Sequence, residues 1–188
     1  MLEILGIIGG LFGLVSCAPY IRDILLLKVK PQRATFLIWS VLGAIAFFSQ
    51  LAKGASNSLW LPGIETFGAI AIFILSIKYG VGGFNKRDYI ALFIAAIGLI
   101  LWYFTKEAAV ALYLVILVDG VGLYLTVHKA YVSPESETHF AWILSAIGGV
   151  FALVSVGSFN VILLSYPVYL VFGNLAVVTA IQMGLRKK

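Results

Sequence analysis

Three polar side chains stand where the chain is otherwise apolar: Glu65, Asp119 and Asn174. A carboxylate at the centre of a membrane helix costs roughly 2.5–3.5 kcal/mol, and less near an end. Such a group is retained where it faces protein or a water-filled cavity. Each of the three is therefore a candidate for binding a polar solute, and the two acids for carrying a proton. Each also has a quieter reading. Glu65 fits a buried acid held by a tryptophan or tyrosine donor, Asp119 an interhelical hydrogen bond, and Asn174 helix-packing glue. Chemistry of other kinds has little support. His128 and His139 have no Cys, His or carboxylate at metal-ligand spacing. There is no phosphate loop and no nucleophile elbow. Catalysis is not expected, nor is a metal or other cofactor. A retinal pigment would need a lysine within the last helix, and none precedes its basic end.

The elements that must position these groups are transmembrane helices. The 188 residues are 62% apolar, with a mean hydropathy of +1.06. A soluble domain of this size needs more polar surface. Apolar runs of about 18 residues or more recur along the chain, and they are continuous rather than alternating, which favours helices over a barrel. The net charge of +5 does not indicate nucleic acid, because the basic residues sit in short links between apolar runs. Cys17 is the single cysteine, so no intrachain disulfide forms. The acidic start Met1-Leu2-Glu3 lacks the basic region of a secretory signal, and residues 1–27 are expected to remain as a helix.

Seven helices are expected, over about residues 2–27, 34–52, 58–79, 89–104, 108–130, 139–156 and 161–185. They contain a duplication. Pro31, Thr35 and Trp39 match Pro134, Thr138 and Trp142 at an offset of 103 residues, and Gly54 and Asn57 match Gly157 and Asn160 at the same offset. After a two-residue shift, Pro62, Phe67 and Gly68 match Pro167, Phe172 and Gly173. Helices one to three thus pair with five to seven. The expected organisation is a first repeat over residues 1–80, a linker helix over 81–106 and a second repeat over 107–188. An odd number of helices per repeat, plus one linker, gives parallel repeats about an axis along the membrane normal. In this register Ala69 is the partner of Asn174, and Ser16 that of Asp119. Glu65 lies four residues before Ala69, on the same helical face, and so points at the central axis. Pro19, Pro62 and Pro167 are candidate hinges. Arg22 and Asp23 read as an inner gate or a local ion pair. Gln50 reads as an interface amide, and Trp60, Trp102 and Tyr103 as interfacial belt residues. Tyr113, Tyr166 and Tyr169 suit a pocket, lipid or core contact.

With the N-terminus outside, ten basic residues fall inside (among them Lys28, Lys30, Arg33, Arg87, Lys129 and Lys188), against Lys53 and Lys106 outside. Short links favour a prokaryotic inner membrane.

The proline in helix one, the basic inner link, the Pro31/Thr35/Trp39 start of helix two and the three-plus-one-plus-three plan resemble the PQ-loop superfamily, which includes the SWEET sugar transporters. The signature dipeptide is Pro19-Tyr20 here, and the second copy has Gly122-Leu123. The resemblance implies alternating access to a midplane site. It implies that Asn174 binds substrate, with Trp39 and Trp142 as further positions carried over by place. The expected function is transport of a small polar solute, a sugar or related metabolite, across a lipid bilayer. Glu65 and Asp119 leave proton coupling open, and association with further copies also stays open. The alternative is a membrane receptor or accessory subunit that binds without translocating.

Overall fold

The computed structural model describes residues 1–28, 30–31, 33–81, 83–84, 86–132, 134, 137 and 139–187. Gln32, Asn85, Glu135, Thr138 and Lys188, which carry parts of the repeat and charge readings, lie outside the described residues. The side chains of Arg87 and Lys129 do too. Among the described residues the chain forms seven α-helices. They are α1 (Leu2–Leu25), α2 (Arg33–Ala52), α3 (Trp60–Tyr79), α4 (Lys86–Thr105), α5 (Ala108–Val132), α6 (His139–Ser155) and α7 (Val161–Leu185). A single 3₁₀ turn, Asn57–Leu59, leads into α3.

The helix boundaries have local causes. α1 stops two residues before the expected end because Leu27 turns into the left-handed region at φ 58°, and its N–H bonds Ile24 O at 3.0 Å. The 3₁₀ turn takes up the residues expected to open α3. Pro62 is the third residue of α3, where a helix N–H has no partner to lose. It therefore starts the helix rather than interrupting it. Pro19 and Pro167 are interior to α1 and α7. Pro19 is exposed on the outer surface of α1, whereas Pro167 is buried.

α1, α2, α3 with its leading turn, α5 and α7 are long and apolar enough to cross a membrane. The apolar stretch of α4, Leu92–Thr105, and the 17-residue α6 are shorter. At 1.5 Å per residue α6 rises about 26 Å, just short of a hydrocarbon core of about 30 Å. The chain is an all-α membrane protein.

α3 packs between α1 and α2, and α7 packs between α5 and α6. Across the molecule α1 packs on α6 and α2 on α5, while α4 lies against α5 and α2. The α1–α6 contact is made through glycines. A Cβ on Gly9 would stand 3.0 Å from the Gly148 carbonyl oxygen, and one on Gly148 would stand 3.0 Å from that of Gly9. The α2–α5 contact is a core of Leu42, Ile45, Ala111, Leu112 and Val115, with Tyr166 from α7. Trp102, expected at the lipid interface, packs against this core instead, because α4 turns that face toward α2 and α5. Trp60 and Tyr103 are exposed. Gln50 is fully buried and its Nε2 donates back to Ala46 O at 3.3 Å, leaving Oε1 without a partner among the described residues.

The duplicated turns use the same backbone device. Gly54 has φ +88° and Gly157 φ +69°, a region that costs an L-residue roughly 1–2 kcal/mol. Asn160 then caps α7, its Oδ1 accepting from the Ile162 and Leu163 N–H groups at 3.0 and 3.2 Å. Gly54 has open space around its missing Cβ, whereas one on Gly157 would meet Leu2. Gly54→Ala is expected to cost about 1 kcal/mol and Gly157→Ala more. Thermal unfolding in detergent checks the order, and equal costs would show that Leu2 moves aside freely.

At the other end, the link after α1 is clasped to the end of α3. Val81 N–H donates to Pro31 O at 2.9 Å, and Arg33 N–H donates to Val81 O at 3.2 Å. The Arg33 guanidinium donates to Ser76 O and Gly80 O, each at 2.8 Å.

Candidate functional site

Between α2, α3, α5, α6 and α7 lies a cavity of about 220 Å³. That volume is the liquid share of about seven water molecules, below the usual range for drug-sized ligands. Trp39 comes from α2, Glu65 from α3, Asp119 from α5, Trp142 from α6 and Asn174 from α7, and all five line it. The helical repeat explains the convergence on α3 and α7. Glu65 and Ala69 are one turn apart on α3, as are Tyr166, Leu170 and Asn174 on α7, and all of them face the cavity.

Asp119 is held by the Tyr169 hydroxyl, which donates to its Oδ2 at 2.5 Å, and it lies near the Trp39 side chain. Glu65 lies near the Ser145 hydroxyl, which donates to Ser16 Oγ at 3.4 Å. Ser16, the repeat partner of Asp119, donates to Gly13 O at 2.7 Å. Asn174 is 8% exposed. Its Nδ2 donates to Leu170 O at 2.7 Å, and among the described residues its Oδ1 accepts nothing. The Trp142 indole donates away from the cavity, to Glu137 Oε2 at 3.1 Å.

Leu42 and Val115 of the α2–α5 core line one part of the cavity wall, and the half-buried Leu123, Thr126 and two tryptophans line another. Arg22 and Asp23 are not part of it. They pair with each other, Nη2 to Oδ1 at 3.1 Å, on the surface of α1, so the geometry is that of a local ion pair. Of the candidate hinges, none lines the cavity. A second hollow of about 430 Å³ lies on the outer face between α5 and α7, beside Tyr124 and Met183. Neither carboxylate reaches it, and its exposed, mostly apolar wall suits contact with lipid.

Ser145, Thr66 and Thr126 also line the cavity, and sequence reasoning does not single them out. Ser145 alone carried a signal, three residues after Trp142 on the same helical face. Tyr166 and Tyr169 line the cavity as well, with ring centroids 6.2 Å apart. No family model matches the chain, and neither does any curated protein or solved structure.

Proposed function

We propose that this protein is a transporter of a small polar solute, working by alternating access between two parallel three-helix repeats with a PQ-loop- or SWEET-like plan. The repeats are residues 1–80 and 107–188, and α4 links them. The packing order supports this division. In each half the third helix lies between the other two, and the halves meet through crossed pairs, α1 on α6 and α2 on α5. In this reading all seven helices cross the membrane, with the N-terminus outside and the C-terminus in the cytoplasm. Lys53 of the α2–α3 turn pairs with Glu107 of the α4–α5 turn, which fits both turns lying on one side.

The observation that carries the reading is the cavity itself. Two carboxylates and a buried amide from three different helices face one space at the junction of the halves. Polar groups in such a place mark a solute path. The test is flux into liposomes containing the purified protein, across sugars, amino acids and amines. Wild type is expected to move one class, and Asn174→Ala to lose at least about tenfold of that flux with its melting temperature kept. Retained flux in the variant would remove Asn174 from the site. Saturable binding without flux would favour a receptor.

A further inference from the structure

The wall of the cavity carries two carboxylates, and most of its hydroxyl donors are already spent. Thr66 Oγ donates to Pro62 O at 2.6 Å and Thr126 Oγ to Gly122 O at 3.1 Å, so each hydroxyl has spent its one proton on its own helix. Tyr169 spends its proton on Asp119 and Trp142 its N–H on Glu137, while among the described residues the Tyr166 hydroxyl and the Trp39 N–H donate to none. The Asn174 side chain is more than nine-tenths buried. It lines the cavity, has committed one N–H to Leu170 O, and its Oδ1 accepts from none of the described residues. Two carboxylates share this space, and among the described residues lining it none is Lys, Arg or His. Where both acids are ionised, the balancing positive charge comes from whatever occupies the cavity. Four aromatic rings, Trp39, Trp142, Tyr166 and Tyr169, make up much of the remaining wall. Ring faces attract cations, and carboxylate-lined aromatic cages suit ammonium groups. A bare metal ion would leave most of about 220 Å³ unfilled.

We infer that the solute is a small organic ammonium ion, an amine or methylated amine. Its charged end lies between Glu65 and Asp119, its carbon groups lie against the rings, and a hydroxyl or N–H donor meets Asn174 Oδ1. The inference rests on the solute-site reading above and narrows it away from neutral sugars.

The test compares choline with 3,3-dimethylbutan-1-ol, the same shape with carbon in place of the charged nitrogen. Ethanolamine, tetramethylammonium and glucose complete the set. Binding is measured by calorimetry and thermal shift on the full chain in detergent. At least one of the three cations is expected to bind, with choline favoured over its neutral isostere by about tenfold or more. Glu65→Gln and Asp119→Asn should each weaken the cation by a similar factor and leave the isostere unchanged. The wild-type comparison stands alone if a variant fails to fold. Equal binding of choline and the isostere, binding of glucose without competition by any cation, or no binding of all three cations would overturn the inference. Neutralisation of the acids by protons would give the first or second of these results. Cation binding without liposome flux would leave the inference standing and remove the transport reading. Glucose flux untouched by cations would do the reverse.

Discussion

Gly6→Ala is expected to destabilise the protein more than any other glycine-to-alanine change among the described residues. An added Cβ would stand 2.1 Å from the Asn57 carbonyl oxygen and 3.1 Å from the Trp60 ring. The first neighbour is backbone, and it belongs to the 3₁₀ turn that carries the buried Ser58 and Leu59. A flexible side chain could swing away, but this turn can yield only by moving the start of α3. That start is fixed in turn by Leu61, which is fully buried. Overpacking usually costs 1–3 kcal/mol, and a clash with fixed backbone puts Gly6→Ala near about 3 kcal/mol. Gly120→Ala is the control. No atom lies within 4 Å of its missing Cβ, and alanine favours a helix over glycine by about 1 kcal/mol. Thermal unfolding in detergent should separate the two variants clearly. A small loss at Gly6 would mean that α1 slides along α3 without resistance.

The second large effect concerns Asp119. Asp119→Ala leaves the Tyr169 hydroxyl without its acceptor, at a cost of about 1–3 kcal/mol. It also removes a charge from the proposed solute site, so flux should fall at least about a hundredfold. Tyr169→Phe removes one bond and keeps the carboxylate, so its loss of flux should be smaller. The double variant decides between the roles. With Asp119 already gone, Tyr169→Phe should cost almost nothing further, giving a coupling of about 1.5–3 kcal/mol for a charged hydrogen bond. Additive losses would show that Tyr169 acts on the solute directly and does not position Asp119.

Much of the fold is legible because its punctuation is local. Gly54 and Gly157 adopt positive φ at matching places, and Asn160 caps α7 where its spacing from the turn suggests. Gly68 and Gly173, also matched, both give room for the first helix of their group, at Cys17 and Leu123 respectively. The site is less legible. Glu65 and Asn174 can be aimed at the axis because the helical period relates them to the duplication. Trp39 lies six residues into α2, which begins at Arg33, and that rise of about 9 Å brings it to the cavity wall. The Asp119–Tyr169 bond joins residues 50 apart, and no local pattern announces it. The same holds for Ser145 and Glu65, whose meeting depends on how α6 crosses the molecule. Pairings across helices are settled by packing, and a single sequence records packing only through periodicity.

The Arg33 clasp joins the start of α2 to the end of α3, so under the proposed rocking motion Trp39 and Glu65 would move as one body. Asp119 and Tyr169, joined by their own hydrogen bond, stand across the cavity on α5 and α7. In that reading the two carboxylates sit on opposite jaws, and a cation held between them would draw the jaws together, so that binding would also be closure.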